Sequence, residues 1–149
     1  MTDDKLYMGI DGGGSTLRVG VYTASITRVN DTVVPLSVNP SVVDRALAQE
    51  RIRTAVREML DGLPGGASAI EAAGIGVAGA DEYHARDWLI ETLEAVLPSS
   101  HIVPSSDYEI ALVGGRGERY GVLLLAGTGC VAYGVNRDGQ ARRLGGWGY

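Results

Sequence analysis

Apolar and polar positions along the chain change their period several times, and each change predicts an element. Leu6 to Asp11 is a short apolar run that ends on Gly12-Gly13-Gly14, the pattern of a strand entering a tight turn. From Thr16 to Ala24 the two classes alternate, with Leu17, Val19 and Val21 on one side; this is the period of a strand, not of a helix. Asn30-Asp31 marks a further turn between Ile26–Val29 and Thr32–Val38, because both side chains favour turn backbones. The opening therefore predicts a three-strand meander. Helical spacing follows between Ser41 and Leu60, where Ile52, Ala55, Val56, Met59 and Leu60 share one face. Ser41 and Asp44 have the spacing of a capping box, and Gly62, Pro64, Gly65 and Gly66 stop the helix. Ala72 to Ala80 is apolar and small, the signature of a buried strand. Asp81 is placed to cap a helix of about Glu82 to Leu97, with Leu89, Leu93, Val96 and Leu97 toward the core. His101 to Pro104 is a short strand. Ser106 and Glu109 repeat the capping-box spacing and open a short helix ending at Gly114-Gly115.

The order over residues 5–117 is βββαβαβα. It predicts an α/β fold of the RNase H-like, actin-like ATPase kind: a mixed sheet with helices on both faces. The first three strands pair antiparallel, and the later ones arrive through helical crossovers and lie parallel. The chain then starts again. Tyr120 to Ala126 is a strand, Gly127-Thr128-Gly129 a turn and Cys130 to Asn136 a strand; Asp138-Gly139 signals a hairpin into Ala141–Leu144. GIDGGGSTLRVGVY and LLAGTGCVAYGVN both read strand, glycine turn, strand, which is the mark of an internal duplication. The expected domains are 1–117, and 118–149 as the start of a second, similar domain that is cut short. A three-strand opening is a poor independent unit, so the chain is expected to be the N-terminal part of a longer protein. The alternative is that residues 118–149 add strands to a single domain.

Composition narrows the function. With 149 residues, 45% of them hydrophobic, the chain can bury one sizeable core. A net charge of −5 disfavours a nucleic-acid partner. Lys5 is the only lysine, which excludes a P-loop. A single cysteine, Cys130, excludes an intramolecular disulfide and an all-cysteine metal site, and fits a reducing cytoplasm. The opening MTDDKLYMGID has neither the basic nor the apolar region of a signal peptide, and no run reaches membrane-spanning length.

The candidate chemistry lies in the glycine turns. In Asp11-Gly12-Gly13-Gly14-Ser15-Thr16, glycines allow close backbone approach, successive N–H groups can form an anion-binding concavity, and Ser15 and Thr16 add hydroxyls. Asp11 places a carboxylate where a phosphate-bound Mg²⁺ needs one. Taken alone, such a turn is better read as an ordinary hairpin. Gly127-Thr128-Gly129-Cys130 repeats the logic at the equivalent point of the duplication, and two such turns together could grip a polyphosphate. Asp107 opens a helix at the end of a strand, where open α/β sheets bind ligands; it could accept a proton from an attacking hydroxyl or only complement the helix dipole. Asn39-Pro40 reads as a helix-entry turn. Gly145-Gly146-Trp147-Gly148-Tyr149 reads as a loop whose indole could wall a sugar ring. His84 and His101 have no metal spacing.

Together these motifs resemble the BadF/BadG/BcrA/BcrD ATPase family, and within it the N-acetylglucosamine and glucosamine kinases of the actin-like superfamily. The resemblance covers nearly the whole chain. It rests on GIDGGGSTLRVGVY (residues 9–22), LSVNP (36–40), GIGVAGAD (74–81), SSDYEIAL (105–112), LLAGTGCVAYGVN (124–136) and LGGWGY (144–149). It implies ATP-dependent phosphorylation of an amino-sugar hydroxyl, with ATP and Mg²⁺ as cofactors and a homodimer as a compatible assembly. Asp11 would help hold Mg²⁺. Gly12, Gly13, Gly14, Ser15 and Thr16 would form the first phosphate loop, and Gly127, Thr128 and Gly129 the second. Asp107 would be the general base. Asn39, Asp107, Gly129, Cys130 and Gly145, Gly146, Trp147, Gly148 and Tyr149 would bind the sugar. Cys130 stands where such kinases often carry Ser, and Pro40 also departs from the animal enzymes. A piece of this length is expected to lack the pocket for the base and not to turn over by itself.

Three other readings compete. The same family contains ATPase activators of CoA-ester dehydratases, whose cysteines bridge an Fe–S cluster; a lone Cys130 in a phosphate turn argues against that branch. A non-catalytic nucleotide- or sugar-binding module would keep the fold without turnover. An RNase H-like nuclease would need several clustered carboxylates around two metals, and only Asp11 and Asp107 present themselves.

Overall fold

A computed structural model of the protein describes residues 5–80, 85–126 and 130–146. The chain divides into two compact units, Met1–Ser106 and Asp107–Tyr149. The first contains β1 (Leu6–Gly12), β2 (Leu17–Thr23), β3 (Arg28–Val34), α1 (Arg45–Asp61), a 3-10 turn (Gly66–Ala69), β4 (Ile70–Val77), α2 (Ala85–Glu94) and β5 (His101–Ser106). Its sheet runs β3-β2-β1-β4-β5. β1 pairs antiparallel with β2, and β2 with β3, while β4 lies parallel to β1 and to β5. This is the expected mixed α/β sheet. Both helical crossovers step across it in the same direction, so right-handed connections put α1 and α2 on the same face. Gln49 Nε2 of α1 donates to Thr92 Oγ1 of α2 at 3.1 Å, and Arg53 Nε donates to Thr92 O at 3.3 Å. Of the cover expected on both faces, the first unit supplies the helices of one.

That face holds the core. Met8 and Ile10 of β1, Leu17, Val19 and Val21 of β2, and Ala73, Ile75 and Val77 of β4 meet Ile52, Val56 and Met59 of α1 and Trp88, Leu89 and Leu93 of α2. Alternation along β1 and β2 is the physical cause: every second residue faces the helices. Val96 and Leu97 are buried as expected but lie past the end of α2, in a turn closed by Leu97 N donating to Leu93 O at 2.7 Å.

Several boundaries differ from the sequence pattern. Asn30-Asp31 is not a turn: both residues lie inside β3, opposite Val21 and Gly20. β3 is an edge strand and largely exposed, so it tolerates side chains that a central strand would exclude. The turn comes earlier. Thr23 N donates to Thr27 O at 2.9 Å, the hydroxyls of Thr23, Ser25 and Thr27 bond in series, and Ile26 has φ 62°. α1 begins at Arg45, not Ser41. Asp44 is its cap, with Oδ1 accepting from Ala46 N at 2.8 Å and Leu47 N at 3.4 Å. The preceding residues are claimed by Asn39, whose Oδ1 accepts from Ser41 N and whose carbonyl accepts from Val42 and Val43 N. The third helix, α3 (Asp107–Arg116), runs through Gly114-Gly115 and stops at Gly117, φ 76°, whose N–H returns to Val113 O. Asp81 and His84 lie outside the described residues.

The second unit contains α3 with β6 (Gly121–Ala126), β7 (Cys130–Val135) and β8 (Ala141–Gly145), an antiparallel sheet in the order β6-β7-β8. The Asp138-Gly139 hairpin is present. Asn136 Oδ1 accepts from Asp138 N and Gln140 N, and Gly139 takes the left-handed conformation, φ 79°. Tyr108 of α3 stacks on Tyr133 of β7 with ring centroids 4.5 Å apart, and Tyr133 is buried. The opposite face carries Leu124, Ala132 and Leu144 in one register row, and Val122, Leu124 and Leu144 there are more than 70% exposed.

Candidate functional site

The first glycine turn is built by packing more than by backbone sign. A Cβ on Gly12 would stand 2.6 Å from Val38 Cγ2 and 2.9 Å from Val77 Cγ2, so only glycine lets the β1 terminus pass between them. Neither Gly13 nor Gly14 has a positive φ. Gly13 N donates to Thr16 O at 2.8 Å, closing the turn, and a Cβ on Gly13 would press on that same oxygen at 3.2 Å. Gly14 and Ser15 are exposed, and a Cβ on Gly14 would meet nothing within 4 Å. The turn is therefore fixed at its base and open at its tip, a cradle in which backbone N–H groups can meet an anion.

Two loops are tied to it. Val38 N donates to Gly13 O at 3.2 Å and Ala78 N donates to Gly12 O at 2.8 Å. Each leads directly to a residue that matters: Asn39 and Gly79. Gly79 has φ 73°, and a Cβ there would run into Asn39 Oδ1 and stand 3.0 Å from Ser41 Oγ. Asn39 Oδ1 is committed to Ser41 N at 2.8 Å. That bond assigns the amide orientation and leaves Nδ2 of the half-buried side chain as its donor group. Arg51 of α1 anchors the loop from beneath, donating from Nη1 to Ser37 O at 2.7 Å. The carboxyl ends of β1 and β4 thus gather Asp11, Gly12–Thr16, Asn39 and Gly79 at one edge of the sheet, the edge where open α/β sheets bind ligands.

Asp11, half-buried at the end of β1, has a partner that the motif did not reveal: Arg18 Nη1 lies 3.1 Å from its Oδ2. Among the described residues, no group of three or more His, Cys, Asp or Glu could cage a metal. A single carboxylate beside an open anion cradle suits Mg²⁺ that arrives bound to phosphates, since that ion keeps most of its waters and needs one or two protein ligands.

In the second unit Asp107 opens α3 directly after Ser106. Its carboxylate sits in the first turn of the helix, where the dipole favours negative charge. Cys130, Gly145 and Gly146 come together: Gly146 N donates to Cys130 O at 2.9 Å, and Gly145, φ 77°, leaves no room for a side chain because a Cβ would lie 2.5 Å from that carbonyl. Cys130 is exposed and free. Gly127, Thr128, Gly129, Trp147, Gly148 and Tyr149 lie outside the described residues.

Sequence reasoning missed Arg18, Arg51 and Gly79. The signal for Gly79 was present in Gly79-Ala80-Asp81, which follows an apolar run as the first glycine turn does. Arg18 and Arg51 give none, because their roles depend on partners brought near by register and by packing.

The decisive comparison is with protein families: residues 8–149 match the BadF/BadG/BcrA/BcrD ATPase family. The chain belongs to that family. A curated relative from Clostridium acetobutylicum, an N-acetylmuramic acid/N-acetylglucosamine kinase, is 33% identical over 150 residues, covering 97% of this chain and 47% of the relative. An N-acetyl-D-glucosamine kinase from Dictyostelium discoideum is 28% identical over 156 residues, covering 97% of this chain and 48% of its own length. The chain thus spans about half the length of the curated relatives it matches. Among solved structures, a candidate N-acetylglucosamine kinase from Chromobacterium violaceum superposes with a TM-score of 0.73 at 24% identity, over 99% of this chain and 50% of that one. At that identity the likeness establishes the fold alone.

Proposed function

We propose that the protein transfers the γ-phosphoryl group of MgATP to a hydroxyl of an amino sugar such as N-acetylglucosamine or glucosamine, residues 1–117 forming one actin-like domain and 118–149 beginning a second. The observation that carries this reading is the β1–β2 turn: an exposed glycine–hydroxyl cradle after a strand-end carboxylate, hydrogen-bonded to the loop that presents Asn39. The names of the two curated relatives point the same way.

In this reading the Gly12–Thr16 turn binds phosphate oxygens of the nucleotide through its exposed tip, Gly14 and Ser15, together with the Thr16 hydroxyl, and Gly127, Thr128 and Gly129 are assigned the same task. Asp11 holds Mg²⁺, which neutralises charge on the phosphates. Asn39 offers its Nδ2 donor to an oxygen of the sugar, and Cys130 and the Gly145–Tyr149 segment are likewise assigned to sugar binding. Asp107 accepts the proton of the attacking hydroxyl as that oxygen bonds to the γ-phosphorus and the bond to the ADP oxygen breaks. There is little covalent work for the protein, so catalysis is chiefly positioning and charge stabilisation. A cytoplasmic location and a homodimer accompany the same reading. Among the described residues no helix is long and apolar enough to cross a membrane.

Mass spectrometry of the sugar after incubation with MgATP and the full-length protein tests the proposal. It requires a phosphomonoester of N-acetylglucosamine, glucosamine or a close amino sugar; ATP hydrolysis with every sugar left unmodified would sink it.

A further inference from the structure

Of the residues of β7, only Tyr133 is buried. Its register partners are Leu123 on β6 and Arg143 on β8, so the three side chains share one face of the sheet. That face meets the first turn of α3. The rings of Tyr133 and Tyr108 lie with centroids 4.5 Å apart and planes inclined at 46°. Tyr133 Oη donates to Glu109 Oε1 at 3.4 Å, and Cζ of Arg143 stands 5.8 Å from the centroid of the Tyr108 ring. One turn further along α3, Leu112 is buried, and a Cβ on Gly121 of β6 would lie 3.4 Å from its Cδ1.

A helix held to a sheet along a single row can still roll about its own axis. Successive helical residues point about 100° apart. Contacts at both Tyr108 and Glu109 therefore fix the roll, and Leu112, four residues after Tyr108 and on the same face, fixes the tilt. The residue just before this pair is Asp107, whose Cα–Cβ direction is set by the same roll. The hydroxyl bond is long for an O–H···O contact, whereas the ring pair and the cation near it lie within the ranges at which such contacts attract. The rings are the stronger half of the clamp.

We propose that Tyr108 and Tyr133, supported by Arg143, are positioning residues that aim the Asp107 carboxylate. The inference rests on the role of general base given above to Asp107, and it adds what holds that base in place. A base must lie within hydrogen-bond reach of the proton it accepts, and a misplacement of about 1 Å can cost about a hundredfold in rate.

Double-mutant cycles on the full-length protein test it, with phosphorylation of the amino sugar by MgATP as the rate and thermal melting of every variant. Tyr108→Ala and Tyr133→Leu are each expected to lower kcat about tenfold or more while both KM values stay within about twofold. Tyr108→Phe and Tyr133→Phe, which keep both rings, should recover most of the rate. Added to Asp107→Ala, neither Tyr108→Ala nor Tyr133→Leu should lower kcat further, because their effect passes through the missing carboxylate. Two tyrosine positions keep the test open should one variant fail to fold. Wild-type kcat in the foldable variants would overturn the proposal. So would a full further loss on the Asp107→Ala background, or KM values that rise together with a lowered melting temperature, which mark general loosening of the unit. The two readings fail separately: a wild type that phosphorylates no sugar ends both, whereas Asp107-dependent transfer that ignores the tyrosines ends only this one.

Discussion

Gly79 shows how much at the residue scale depends on a single missing carbon. Its backbone is in the left-handed region, φ 73°, and a side chain there would collide with Asn39 Oδ1. Gly79→Ala therefore combines backbone strain of about 1–2 kcal/mol with displacement of the amide that this account gives to the sugar. The expected outcome is a KM for the sugar raised about tenfold or more, with KM for MgATP nearly unchanged; equal effects on both would separate Asn39 from sugar recognition. The neighbouring glycines teach a related lesson. The run Gly12-Gly13-Gly14 was legible as a turn, yet the reason for Gly12 lies in Val38 and Val77, residues 26 and 65 positions away. Sequence shows that a glycine is there; only packing shows which atom it makes room for.

At the scale of elements, helices and central strands were legible because burial writes a period into them. α1 announces itself through Ile52, Ala55, Val56 and Met59, and β2 through Leu17, Val19 and Val21. Edges and ends were not. β3 is solvated on much of its surface, so Asn30 and Asp31 sit in it at little cost and imitate a turn. The start of α1 was displaced because Ser41 and Asp44 offer two competing caps, and the contest is decided by Asn39, which captures Ser41 N for its own turn. Two substitutions separate these caps. Asp44→Ala should lower stability by about 0.5–2 kcal/mol, the usual loss of an N-cap, whereas Ser41→Ala should change it little. Urea titrations of both variants decide between them, and the opposite ranking would return the helix start to Ser41.

At the scale of the whole molecule, the antiparallel opening and the parallel strands after it were readable from the sequence order βββαβαβα, whereas the strand order β3-β2-β1-β4-β5 came with the structure. The three strands that follow residue 120 were readable from the same kind of pattern. What the second sheet packs against was not. Its face with Val122, Leu124 and Leu144 is exposed in this chain, and contiguous apolar surface of that kind is unusual on a soluble monomer. Expressed as these 149 residues, the chain is expected to bind a hydrophobic dye through this face, and Leu124→Lys to weaken the fluorescence severalfold. Unchanged dye binding in that variant would place the sticky surface elsewhere. Of the candidate residues, Asp11, Asn39 and Asp107 stood at strand ends in the pattern, while the contacts that hold Asp11 and Asn39 came only with the fold.

The central claim is sugar-dependent phosphoryl transfer with Asp107 as base, and a coupled ADP-release assay on the full-length protein tests it most directly. Wild type and Asp107→Ala would be compared with MgATP and N-acetylglucosamine, glucosamine, glucose or N-acetylmannosamine. The account predicts ADP release that depends on an amino sugar and falls by about 10²–10⁴ in Asp107→Ala, the usual contribution of a general base. ADP release that ignores the sugar, or that Asp107→Ala leaves intact, would contradict it.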